Sequence, residues 1–205
     1  MNRLINNIVM ITLLSVLGAC ASINSLTRAK NLKAGTHELY AGIEYSNLLR
    51  KMDGGDTDTN TFGVDVAGRY GITDQDEVGV KLANTLAYFG ADYKRGLITG
   101  DFNVSAGAAV GYLKYTVGSN SFSQIDMGIP VYVDYEASEE LVFFASPKFQ
   151  YSLVSGDNAS SFSSLVLSAG ARLGQESGVH FEFGYGIPFN KGADGMWQAN
   201  AGIYF

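Results

Sequence analysis

Cysteine occurs once, histidine twice and proline three times in the 205 residues. One cysteine excludes an intrachain disulfide and a cysteine-based zinc cluster. So little proline excludes a proline-rich linker or a collagen-like repeat. Long apolar runs are missing as well: the longest, residues 8–17, falls well short of the roughly 20 residues that a spanning helix needs. Bases are the minority, 14 against 20 acids for a formal charge of −6. Without a basic surface to neutralise phosphate, nucleic acid is not expected as a partner.

The first residues carry an export signal. Arg3, the apolar run 8–17 and the small pair Gly18-Ala19 have the layout of a secretory signal peptide, so residues 1–19 are expected to be removed. Leu17-Gly18-Ala19-Cys20 resembles the lipobox of bacterial lipoproteins. That resemblance implies cleavage before Cys20, acylation of its thiol and, because Ala21 and not an acid follows, transfer to the outer membrane. Ala19-Cys20-Ala21 can also be read as an A-x-A site for the ordinary signal peptidase, which would discard the cysteine. Both readings export the chain. Without Arg3 the formal charge becomes −7. Residues 20–37 hold Arg28, Lys30 and Lys33, no acid and no period-two pattern, and read as a lipidated tether to a single domain at 38–205.

From Glu38 onward apolar and polar residues alternate at a period of two, punctuated by Gly, Asp, Asn and Ser. The fold class is all-β, with strands expected at 38–48, 61–70, 77–84, 88–97, 102–117, 124–135, 141–153, 162–173, 179–189 and 196–205. Residues 77–97 can also be drawn as one kinked element. An up-and-down membrane barrel needs an even strand number, however, which favours ten over nine, with eight as the alternative count. Polar, Gly-rich stretches at 49–60, 118–123, 154–161 and 190–195 alternate with tight turns such as 71–76 and 136–140, so one rim should carry the longer loops. Pro130 and Pro147 fall inside two of these strands, where each removes a ladder donor, and β-bulges are expected there.

One face of the strands is apolar, as in Ile125, Met127, Ile129, Val131 and Val133. The other carries Glu38, Glu44, Asp65, Arg69, Glu77, Lys81, Asp92, Lys94, Asp126, Asp134, Lys148, Arg172, His180 and Glu182. A membrane barrel puts the apolar face outside; a soluble lipocalin-like carrier puts it inside, around an apolar ligand. Three features favour the membrane. Aromatics bracket apolar rows at Phe62 and Tyr70, Phe102 and Tyr112, Phe143 and Tyr151, and Trp197 and Phe205. A spacing of eight, at about 3.3 Å per residue and a tilt near 40°, spans roughly 20 Å of membrane normal, as interfacial girdles do. The final strand, ending on Phe205, resembles the signal read by the outer-membrane assembly machinery. So many charges suit a wet or salt-bridged lumen better than a dry core. The lipocalin Gly-x-Trp signature is missing near the first strand. Ordinary sandwich packing is the remaining alternative for the aromatic rows.

The pattern resembles the small outer-membrane barrels of Gram-negative bacteria as a class, which implies contact with outer-membrane lipid and handling by the assembly machinery. It carries no catalytic motif. His37 and His180 both fall near the periplasmic rim, the wrong end for chemistry on outer-leaflet lipid or extracellular peptide, and a lumenal salt-bridge role is favoured for His180. Asp56-x-Asp58-x-Asn60 opens like a calcium loop, but Thr61 and Ala67 stand where that loop needs Gly and Glu, so a solvated acidic loop is favoured. No cofactor, metal or catalytic residue is expected. The lumen has eight acids, Glu38, Glu44, Asp65, Glu77, Asp92, Asp126, Asp134 and Glu182, against five bases, Arg69, Lys81, Lys94, Lys148 and Arg172. A salt-bridged, largely closed interior is expected, in a protein with a structural or surface-interaction role whose partner is unknown. The surplus acid would attract the basic tether or, alternatively, make a narrow cation-preferring pore.

Overall fold

A computed structural model of the chain describes residues 25–50, 58–83, 88–117, 120–155, 161–189 and 195–205. Ten strands follow in chain order: β1 (His37–Arg50), β2 (Asp58–Gly71), β3 (Asp76–Ala83), β4 (Tyr88–Ile98), β5 (Phe102–Val117), β6 (Asn120–Glu136), β7 (Leu141–Ser155), β8 (Phe162–Gly174), β9 (Gly178–Pro188) and β10 (Met196–Tyr204). Each pairs antiparallel with its sequence neighbour, and β1 pairs with β10 from Tyr40↔Tyr204 to Ser46↔Gln198, closing an up-and-down barrel. Closure leaves the sheet without an open edge. The segment 77–97 resolves into two strands, as the parity argument required.

Connections at the rim near the chain's final residue are short because side chains build them. Thr73 Oγ1 accepts the N–H groups of Gln75 and Asp76, and Ser138 Oγ accepts those of Glu140 and Leu141, so each hydroxyl stands in for a turn carbonyl. Gly174, at φ +115°, makes the β8–β9 turn in a conformation that a side chain would strain. Residues 51–57, 84–87, 118–119, 156–160 and 190–194 lie outside the described residues, and with them Asp56; Asp58 and Asn60 belong to β2.

The prolines are accommodated otherwise than expected. Pairs on either side of Pro130 in the β5–β6 ladder, Ala106↔Val131 and Ala109↔Gly128, share one register. So do Pro130↔Lys148 and Val133↔Ala145 around Pro147 in the β6–β7 ladder. Each ladder skips two pairs without inserting a residue, so neither proline is bulged. The register shifts lie at Ser46/Leu49 and Gly96/Ile98. A missing donor costs less here than a slip, because a one-residue shift would turn every apolar side chain inward.

Side-chain direction follows the alternation. Phe62 is 66 % exposed and Ile129 63 %, whereas Lys94 is 0 % and Arg172 1 % exposed. The apolar belt is therefore outside and the charges are inside, the reverse of a soluble carrier. A belt this continuous needs a nonaqueous surround. At Phe183, midway along β9 on the outer face, we expect Phe183→Arg to destabilise the barrel by about 2–4 kcal/mol in phospholipid vesicles. Unfolding titrations check this; an unchanged midpoint would place the residue away from lipid.

Candidate functional site

The site is the barrel interior. Among the girdle residues foreseen, Phe62, Tyr70, Phe102, Tyr112, Phe143, Tyr151 and Phe205 are exposed on the outer face, and Trp197 is half-exposed beside Tyr45 and Phe183, at ring distances of 5.5 and 6.2 Å. An outward furrow of about 580 Å³ runs over the small Ala199 and Ala201, between Tyr45 and Phe183.

Inside, the charged residues fall into clusters joined across neighbouring strands. On β2–β4, Arg69 pairs with Glu77 and, at 2.6 Å, with Asp92, while Lys94 Nζ lies 3.2 Å from Glu77. On β1, β8 and β9, Arg172 forks onto both oxygens of Glu38 at 2.9 and 3.0 Å. Its Nε donates to His180 Nδ1 at 3.0 Å, and His180 Nε2 lies 3.2 Å from Glu182. An Nδ1 that accepts from a guanidinium carries no proton, so the network assigns the ring proton to Nε2, directed at Glu182. Phe144 stacks on this ring and Tyr40 meets its edge, at 4.9 and 5.3 Å. His180 is thus engaged on both ring nitrogens, by Arg172 and by Glu182. His37 is exposed at the start of β1.

Farther from the turn rim, Asp65 accepts from Asn200 at 2.8 Å and lies 3.3 Å from Lys81, with Glu44 buried on the same wall. Asp126 accepts from Gln124 and Ser152, and Lys148 is half-buried on β7. Among the described residues no group of three His, Cys, Asp or Glu side chains is placed to hold a metal.

Two features of the lumen go beyond its wall charges; the first was not foreseen, and the second was expected only as an attraction of the basic tether by the surplus acid. The first is its aromatic filling. Tyr40 lies over Gly42 and Gly202, which face each other across β1 and β10, and Tyr88 lies over the facing pair Gly90 and Gly111 on β4 and β5. A side chain at any of the four would collide with the tyrosine. The signal was present as Tyr-x-Gly on the polar face, at Tyr40-x-Gly42 and Tyr88-x-Gly90.

The second is the N-terminal segment. Residues 25–36 do not run as a free tether beneath the barrel. They rise into it, and Leu26, Thr27 and Ala29 are almost wholly buried. Main-chain N–H groups of Ser25 and Leu26 donate to Glu182, that of Lys30 to Asp134, that of Leu32 to Glu77 and that of Ala34 to Asp74, all at 2.7–3.0 Å. Arg172 and Lys94 donate to the carbonyls of Leu26 and Arg28, at 3.2 and 2.7 Å. Arg28 pairs with Glu136 and, at 3.4 Å, with Asp134, and Lys30 Nζ lies 2.8 Å from Glu136. Two bases from the segment thus meet a wall that carries more acid than base.

No protein-family model matches the chain, and no curated protein does. Several solved structures have a similar course. Ail, the attachment invasion locus protein of Yersinia pestis, is 16 % identical, covering 84 % of this chain and 99 % of its own, with a TM-score of 0.34. The outer membrane protease OmpT from Escherichia coli is 10 % identical, covering 90 % and 99 %, with a TM-score of 0.44. The N-terminal β-barrel domain of Pseudomonas aeruginosa OprF is 8 % identical, covering 84 % and 97 %, with a TM-score of 0.27. Each of these TM-scores is below 0.5, and no specific family emerges from them.

Proposed function

We propose that the chain is an integral barrel of a Gram-negative outer membrane, exported by its signal peptide and acylated at Cys20, with a structural or surface-interaction role and a lumen closed by its own N-terminal segment. The observation that carries this reading is the pairing of a continuous apolar outer belt with a charged interior occupied by residues 25–36. The turn rim is then periplasmic, the belt faces outer-membrane lipid with an acyl chain in the Ala199–Ala201 furrow, and the assembly machinery receives the chain at β10. Catalysis has no place in it, since the buried histidine is spent on Arg172 and Glu182.

Beside Ser25, a cavity lined by Arg69, Lys81, Asp92 and Tyr132 holds about 50 Å³, room for one or two waters. With residues 25–36 seated in the lumen, full-length protein in planar bilayers should show no steady conductance. A cation-selective current would instead establish the narrow pore. Membrane placement is tested on the membrane fraction: a carbonate-resistant band whose gel mobility shifts on boiling is expected, together with incorporation of labelled fatty acid that Cys20→Ser abolishes. A carbonate-released protein would refute the barrel's membrane position, and label retained in Cys20→Ser would refute the lipid site.

A further inference from the structure

Most of what holds residues 25–36 is recognition of main chain. Five N–H groups end on carboxylates contributed by β9, β6, β3 and the β2–β3 turn, and three carbonyls, of Leu26, Arg28 and Lys30, end on cations from β8 and β4. Any peptide backbone that takes the same bent course presents those groups. Side-chain selection comes from Arg28 and Lys30, which meet Asp134 and Glu136, from the hydroxyls of Ser25 and Thr27, which meet Glu182 and Lys94, and from Leu26, packed against Tyr40, Ala67 and Tyr204. Leu26 itself sits at φ +52°, a left-handed conformation that a leucine keeps only where its surroundings impose it. The lumen therefore holds the segment in a shape that the free chain disfavours. The way in is open: the turn rim surrounds a mouth of about 850 Å³, bounded by Lys33, Glu38, Glu139 and Glu176.

We infer that the lumen is a binding site for a peptide segment of Leu-x-Arg-x-Lys character, filled in cis by residues 25–36 and able to take such a segment in trans from the periplasmic mouth. The wall supplies acid for the two bases and fixed donors and acceptors for the backbone, while the covalent link to β1 gives the cis segment its advantage through effective concentration. A periplasmic segment with the same charges competes once the cis segment is weakened. This rests on the closed-lumen reading above and extends it from a plug to a ligand site.

The test uses the full chain with Cys20→Ser and Ala29→Cys, with or without R28E/K30E, folded into planar bilayers and vesicles. Ala29 is 1 % exposed, so a thiol there reports seating. The parent should be silent and react slowly with a maleimide-polyethylene glycol. The double variant should conduct and label about tenfold faster or more, the effect of losing roughly 1.4 kcal/mol of seating energy. A synthetic peptide of residues 25–36 added to the periplasmic side should then block the current, and the same peptide with both bases changed to glutamate should not. Adding Glu136→Arg to the double variant should restore slow labelling through the swapped pair. A variant that stays silent and protected overturns the inference, and so does a conducting variant that the peptide fails to block. Should the double variant not fold, Glu136→Arg alone carries the same expectations. A conducting parent would refute the closed lumen, while peptide block and thiol protection would still decide the binding site.

Discussion

Replacing Arg172 with leucine is expected to lower the barrel's unfolding free energy by about 3 kcal/mol, the lower end of the cost of removing one partner from a buried ion pair. The guanidinium is 1 % exposed and serves four groups: both oxygens of Glu38, the Nδ1 of His180, the carbonyl of Leu26 and the face of Tyr204, 4.6 Å away. Leucine fills part of the volume but leaves His180 Nδ1 and the Leu26 carbonyl without their donor, and leaves Glu182 facing a histidine whose tautomer is no longer fixed. Glu38 lies nearer the rim and recovers water, which is why the lower end of the range applies. Denaturant titration in phospholipid vesicles reads the loss as a fall in midpoint at constant slope. Arg172→Lys keeps the charge opposite Glu38 but not the planar fork, and should recover only part of the loss. A leucine variant with an unshifted midpoint would mean that the network is dispensable.

Gly111→Val is the second large effect. The added side chain enters the space taken by the Tyr88 ring, which already lies over both Gly90 and Gly111, and the neighbouring strand cannot retreat without breaking the β4–β5 ladder. Overpacking of this kind costs about 1–3 kcal/mol. Tyr88→Ala alone should also destabilise, by removing a large buried ring. The two together should cost less than their sum, with a coupling of at least about 1 kcal/mol between side chains in contact. Strict additivity would show that the tyrosine does not hold the position over the glycine pair.

The strand plan was legible because a barrel wall is a local object. Alternation at a period of two gave ten strands, the apolar row 125–133 gave their outer face, and parity separated β3 from β4. Strand ends were less legible: β1, β2, β6 and β7 all run two or more residues farther toward the loop rim, because beyond the apolar belt pairing continues without the alternation that marks it. The proline sites were misjudged for a different reason. A register can hold on either side of a missing hydrogen bond when the outward apolar row penalises any slip.

The interior was half legible. Charges on one face announced a salt-bridged lumen, but which acid meets which base depends on curvature, and the seat of residues 25–36 on residues that stand up to 157 positions away. The sequence shows only a basic segment and an acidic wall. Tyr40 and Tyr88 went unnoticed as filling because tyrosine was counted as girdle, although the glycine two residues on was the mark of an inward ring.

With Cys20 acylated as proposed, the pinning of Ser25 to Glu182 would put that anchor on a short leash. Glu182 is the fifth residue of β9 from its turn, about 10 Å above that rim at ordinary strand rise and tilt. Four residues separate Cys20 from Ser25, and the five steps between their Cα atoms span at most about 18 Å. While the segment is seated, a lipid on Cys20 would lie within that radius; a leaflet position farther off would draw slack from the lumen. Traction on such an anchor and vacancy of the barrel would then be two ends of one cord.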